Sequence, residues 1–182
     1  MKDPLNAVWM ETHSGLTVLP VYPQAETILI RDIAHHLSQI CRFNGACREF
    51  YSVAQHSVMV ARQLPKELQL EGLLHDAAEA YTGDITRPMK LILDSMMLRE
   101  VTWRLNKVIA SKFGLAQDFT GIPEVVMADE VMLRSEAFAL MSTKGYAWDL
   151  VGAIPIPIDD WWDCEEAEWE FNHLYMQLRR DK

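Results

Sequence analysis

The chain has 182 residues, of which 49% are hydrophobic, enough for one sizeable core without disulfide staples. Its 17 basic and 26 acidic side chains give a net charge of -9, which argues against a phosphate-tracking surface for duplex nucleic acid. Cys41, Cys47 and Cys164 form no CxxC pair, no apolar run approaches the roughly 18 residues that span a bilayer, and MKDPLNAVWMETHSG lacks a signal-peptide core. A disulfide scaffold, a zinc ribbon and a membrane span are thereby set aside, and a single cytoplasmic domain over 1–182 is expected.

Gly15, Pro20 and Pro23 punctuate the first thirty residues, and LTVLPVY and ETILI are rich in β-branched side chains, so one or two short strands are predicted there. From Asp32 the pattern turns helical: Ile33, Leu37 and Ile40 recur at four and three, predicting a helix over 32–40. Ser52 is a good N-cap for a second helix, SVAQHSVMVARQL, which ends before Pro65. A third begins near Pro65, carries LQLEGLLHDAAEAY and is ended by Gly83 and Pro88. Further helices are predicted over 95–113, closed by Gly114, and over 123–141. Two prolines in AIPIPID make 145–160 an extended connection. A last helix over 163–180 opens on Asp163 and Glu166 as a capping box and ends on Arg179 and Arg180, where the macrodipole favours cations.

One stretch is out of place in a buried helix. LLHDAAEAYTGD, from Leu73 to Asp84, carries four ionisable groups that cost free energy to bury unless paired or bound to a cation. His75 and Asp76 are about 100° apart around a helix, so both can lean toward an ion over the seam between them. Imidazole plus carboxylate suits a borderline or hard divalent ion wanting further ligands from other helices. His56, in apolar VAQHSVMVA, and Asp129, in VVMADEVMLRSE, are the candidates. Taken alone, His56 also reads as an ordinary core histidine, and the buried acid of the later helix could equally be Glu130. Glu79 lies four residues after His75 and three after Asp76, on the same side of the helix.

These residues resemble the HD-domain phosphohydrolases, whose metal pattern is H…HD…D, and among them the small bacterial and phage hydrolases of 2'-deoxynucleotides. ICRF, FYSVAQHS, LLHDAAEAYTGDITRPMK and ADEVML carry the resemblance in order over 32–129. It implies an all-α HD-domain bundle with a short β-rich N-terminal segment (1–30), an HD core over about 31–142 and a C-terminal helix. It makes His56, His75, Asp76 and Asp129 the ligands of a divalent ion (Co, Mn, Zn, Fe or Mg) and Glu79 and Asp84 the catalytic acids. Arg42 and Lys90 match phosphate-contacting residues, with Arg87 a nearby third. Phe43 and Pro88 would sandwich a base, Tyr22 or Tyr81 would bound the sugar, and Gly45 would leave room beside the base.

The expected reaction is hydrolysis of a deoxynucleoside triphosphate such as dATP to deoxynucleoside and triphosphate, because Arg42, Arg87 and Lys90 offer more charge than one phosphate needs. Release of phosphate from a deoxynucleoside monophosphate and a non-catalytic nucleotide-binding regulator are the alternatives. The partner is a small deoxynucleotide rather than a duplex or a membrane, in the cytoplasm of the cell, or of the host if the protein is phage-encoded. His13, His35, His36 and His173 are expected to have no metal role. Trp161, Trp162 and Trp169 read as packing or as the contact of a homo-oligomer.

Overall fold

A computed structural model of the protein describes residues 8–93, 96–146, 148 and 155–180. The predicted N-terminal strands reduce to one small hairpin in which β1 (Met10–Glu11) pairs antiparallel with β2 (Thr17–Val18), Met10 opposite Val18. Pro20 and Pro23 donate nothing to a ladder, and ETILI forms instead a 3-10 turn at Ala25–Thr27 followed by Ile28 in the core. The β-branched residues there serve burial rather than pairing. The hairpin loop docks on α1 (Ile30–Gln39): Ser14 donates its amide and hydroxyl to the buried Asp32 carboxylate at 2.9 and 2.7 Å, and the His13 amide donates to His36 Nε2 at 3.0 Å.

Helix α2 (Val53–Arg62) is the central element. Ser52 caps it, its hydroxyl accepting from the Gln55 amide at 3.0 Å, and Val53, Ala54, Val58, Val60 and Ala61 are wholly buried. It packs against α1, against α3 (Gln69–Leu74) and against two long helices met below, α7 and α8. Close approach of α2 and α3 depends on Gly72, where a Cβ would stand 2.3 Å from Leu64 Cδ1 and 3.1 Å from the Ala61 Cα.

The third predicted helix is not continuous. A 3-10 turn at Lys66–Leu68 leads into α3, which gives way at His75 to tight turns before α4 (Glu79–Thr82). The amides of Ala77, Glu79, Ala80 and Tyr81 each bond to the carbonyl three residues back instead of four. His75 Nδ1 donates to the Gly72 carbonyl at 2.7 Å, so the side chain occupies an acceptor of the helical ladder. The overwound segment carries His75 and Asp76, and such mid-helix 3-10 stretches mark strained or functional places.

After Gly83, a short helix α5 (Arg87–Ile92) stands where Pro88 was expected only to stop the previous one. A proline in a first helical turn removes an N–H that would have no partner anyway, so Pro88 opens α5 rather than closing α4. The long helices then follow: α6 (Met96–Phe113), α7 (Pro123–Leu140) and α8 (Cys164–Arg180), the last begun by Asp163, whose carboxylate accepts from the Glu166 amide at 2.8 Å. The extended connection predicted over 145–160 lies in part outside the described residues; 155–160 carry no regular element. No helix among the described residues is long and apolar enough to cross a membrane. The three tryptophans do not cluster: Trp162 is buried beside Arg62, whereas Trp169 is 58% exposed and stacks on His173.

Candidate metal centre

Three helical segments bring four side chains to one point. His56, on the second turn of α2, presents Nε2 at 3.3 Å from Nε2 of His75, 3.1 Å from Asp129 Oδ1 on α7 and 3.6 Å from Asp76 Oδ2. His75 Nε2 lies 3.2 Å from Asp76 Oδ2 and 3.9 Å from Asp129 Oδ1. The alternative acid, Glu130, is exposed, so Asp129 supplies the carboxylate from this helix.

The outer face of each imidazole is fixed. His56 Nδ1 donates to Glu136 Oε1 at 2.6 Å, as His75 Nδ1 does to the Gly72 carbonyl. With the proton of each neutral ring held on Nδ1, two Nε2 lone pairs and two carboxylate oxygens face one another. That arrangement is repulsive unless a cation or added protons compensate it, and it fits a divalent ion held by His and Asp with outer partners orienting the ligands.

Charge behaves accordingly. Burial and Arg42 oppose protonation of His56, but Glu136 and Asp129 outweigh them and lift its pKa to about 10. Burial likewise works against the His75 cation, yet Asp76 and Asp129 raise its pKa. Asp76 and Asp129 are held below the usual carboxylate range: burial alone would raise both, and the two histidines reverse it.

Glu136 is the residue that sequence reasoning missed. It is wholly buried and accepts Nε and Nη2 of Arg42 at 3.1 and 2.8 Å through Oε2 while Oε1 takes His56. Its signal was available: it follows Asp129 by seven residues, two helical turns, on an otherwise apolar stripe with Met132. Arg42 correspondingly stands elsewhere than expected. Its fork is spent on a buried carboxylate, and only Nη1 points to the cluster, 4.0 Å from Asp76. Arg42 is held there by a closed loop, in which Cys41 bridges Ser52 and the Arg42 amide donates to the Tyr51 carbonyl.

Glu79 is buried at the edge of the cluster, with Oε1 on Lys90 Nζ at 3.0 Å and Oε2 buried without a partner. Burial and the neighbouring Asp76 push its pKa up to about 8 against the pull of Lys90. Lys90 is thus paired rather than held open for a phosphate. Asp84 is half-buried past Gly83 and acts electrostatically on Arg42, Glu79 and Lys90. Arg87 and Pro88 lie in the exposed first turn of α5.

The residues expected to contact base and sugar have partners within the fold. Phe43 has its aromatic partner in Trp148, 5.5 Å between centroids, and the Arg42 guanidinium 5.3 Å from its ring. Tyr81 is in the core beside His36, and the half-buried Tyr22 has the Arg104 guanidinium 5.1 Å from its ring. Gly45 has no atom within 4 Å of a built Cβ, but its φ of +77° continues a left-handed run from Phe43 (55°) and Asn44 (54°). The backbone, as much as the open space, accounts for that glycine. His35 bonds Glu168 at 2.8 Å, His36 Nδ1 donates to the Ala80 carbonyl at 2.8 Å, and His13 stacks on His35.

Fold and site thus define a largely α-helical protein in which two buried imidazoles meet the partly exposed Asp76 and Asp129, and in which His56, His75 and Asp129 could hold a metal ion. No family model matches the chain. Over 130 residues, 71% of either chain, it is 40% identical to the uncharacterized protein YfdR of Escherichia coli strain K12. Over 165 residues, 85% of this chain and 84% of the relative, it is 30% identical to the uncharacterized protein RCAP_rcc00048 of Rhodobacter capsulatus. The chain belongs to the family of these two proteins.

Proposed function

We propose that the protein is a metal-dependent phosphohydrolase of the HD-domain type acting on 2'-deoxynucleotides. The observation that carries this reading is the meeting of the His56, His75, Asp76 and Asp129 donor atoms with the buried Glu79 alongside. A structural site would be closed by its ligands and would have no use for a carboxyl poised near neutral pH; a catalytic one has. The same argument weighs against a purely nucleotide-sensing role.

His56, His75, Asp76 and Asp129 would hold the ion. A divalent ion bound there supplies Lewis acidity toward a phosphoryl oxygen and lowers the pKa of water. In the metal-free protein Glu79, with its pKa near 8, holds a proton at neutral pH, and a proton on this carboxyl could pass to the departing 5'-oxygen, leaving a carboxylate beside Lys90. General acid help of this kind contributes typically ~100- to 10,000-fold. Asp84, across the turn after Gly83, reinforces the charge that keeps Glu79 protonated.

The charge pairing bears on which bond is cleaved. The Arg42 fork is taken up by Glu136 and Lys90 Nζ bonds Glu79 Oε1, so neither side chain is held open for a long phosphate chain as the triphosphate reading expects. We therefore favour a deoxynucleoside monophosphate, yielding deoxynucleoside and orthophosphate, over a triphosphate. Incubation of the protein with Co²⁺ or Mn²⁺ and each deoxynucleotide, followed by identification of the inorganic product, tests this. Orthophosphate from monophosphates is expected. Inorganic triphosphate from triphosphates would restore the other cleavage, and no product from any nucleotide would overturn the enzymatic reading.

A further inference from the structure

A cavity of about 480 Å³ opens between α4, α5 and α6, and its wall includes both Glu79 and Lys90. We propose that this cavity receives the nucleobase of the substrate, with Trp103 as its stacking face and Asn106 as the residue that reads the base edge. The proposal rests on the phosphohydrolase reading and goes on to locate its specificity.

Three observations carry it. First, Glu79 belongs to the cavity and to the metal cluster alike, so a ligand filling the cavity lies one side chain away from the reacting phosphate. The volume suits a nucleoside-sized group, within the range of about 300–1,000 Å³ usual for ligand clefts. Second, Trp103 is 55% exposed while lining the cavity between the apolar side chains of Leu91 and Leu98. Phe43, the ring expected to hold the base, already has Trp148 and Arg42 against it, whereas Trp103 presents an exposed indole with Lys107 Nζ 5.6 Å from its ring. Third, Asn106 Oδ1 is buried and has no hydrogen-bond partner among the described residues, although Asn106 lines the same wall one turn from Thr102 and Trp103.

A buried acceptor without a donor costs free energy, and a ligand N–H relieves that cost. The exocyclic amines of adenine and cytosine are such donors. Thymine has a carbonyl at the equivalent position, which would face Oδ1 with like polarity. The cavity therefore favours amino-bearing bases, and the discrimination arises from the acceptor left unpaired when the wrong base binds.

Steady-state kinetics on the Mn²⁺-loaded protein with dAMP, dCMP and dTMP test the assignment, using Trp103→Ala, Asn106→Ala and Phe43→Ala. Trp103 is largely exposed and Asn106 partly so, and thermal melting of each variant verifies the fold. Trp103→Ala should raise KM roughly five- to tenfold with little change in kcat, as loss of one stacking contact does. Asn106→Ala should bring the preference for dAMP over dTMP toward unity. Wild-type kinetics in both variants, with KM raised in Phe43→Ala, would put the base elsewhere and overturn the inference while leaving the phosphohydrolase intact. Neither turnover nor binding of any deoxynucleotide by the wild-type protein would remove both.

Discussion

Glu136 shows how a single side chain sets the character of the centre. It is a wholly buried carboxylate shared between an imidazole and a guanidinium, which orients His56 and makes its Nε2 a better donor. Glu136→Gln keeps the shape but removes the charge, and should weaken Co²⁺ affinity by about 10- to 100-fold in a competitive chelator titration. Unchanged affinity would mean that Glu136 serves Arg42 alone. Protons compete for the same nitrogens. His56 has its folded pKa raised to about 10, above the ordinary histidine value of 6.5, so the metal-free fold draws stability from that proton. The contribution is fully present below about 6.5 and is lost as pH rises toward 10. The metal-free protein should accordingly melt higher at pH 6 than at pH 9. Metal uptake runs the other way: it must displace protons from His56 and His75, so affinity should rise by about tenfold per pH unit for each proton released. Calorimetric titrations in buffers of different ionisation enthalpy would reveal that release, and a flat affinity from pH 6 to 8 would contradict it.

The elements divide by the physics that specifies them. Helices α1, α2, α6, α7 and α8 follow apolar periodicity and capping residues, and their ends fall within about two residues of the sequence reading. Ser52 and Asp163 cap as their residue types require. The break between α3 and α4 could not be read, because it depends on a side-chain hydrogen bond from His75 to Gly72 that no periodicity encodes. Helix α5 was hidden by reading Pro88 as a stop. The expected short strands are present where Thr17–Val18 of LTVLPVY pairs with Met10–Glu11, but ETILI forms none, because apolar β-branched residues serve a helical core as readily as a ladder. Gly72 makes a prediction at this scale. Gly72→Ala places a methyl against Leu64 and the Ala61 backbone where α2 and α3 cross, and overpacking of this kind costs about 1–3 kcal/mol. Chemical denaturation should register that loss, together with weaker metal binding, since α2 and α3 carry His56 and lead into His75.

At the scale of the molecule, the centre exists only once α2, the α3–α4 turn and α7 are assembled. Its candidate ligands are 73 positions apart at the extremes (129 - 56), and the folded chain brings that outermost pair to 3.1 Å. HD and its surroundings were legible because four ionisable residues in an apolar helix are anomalous on energetic grounds. His75 and Asp76 came from that anomaly, whereas His56 and Asp129 were picked out only by the resemblance to the HD-domain phosphohydrolases. The outer ones, Glu136 and the pairing of Arg42 and Lys90, were not legible, because a lone charge on a helix ordinarily reads as solvated. Gathering two aspartates and two histidines also loads the metal-free fold with facing lone pairs, so an ion that binds the native state alone should stabilise it. At 100 times its dissociation constant the gain is about 2.7 kcal/mol, seen as a concentration-dependent rise in Tm.

Cobalt titration of the purified, chelator-treated protein, followed by visible absorption, bears most directly on the centre itself. The account predicts one Co²⁺ per chain in the wild-type protein and loss of that binding in His56→Ala and in Asp129→Ala, each still folded by circular dichroism. Folded variants that take up the ion as the wild type does, or a wild-type protein that takes up none, would contradict it.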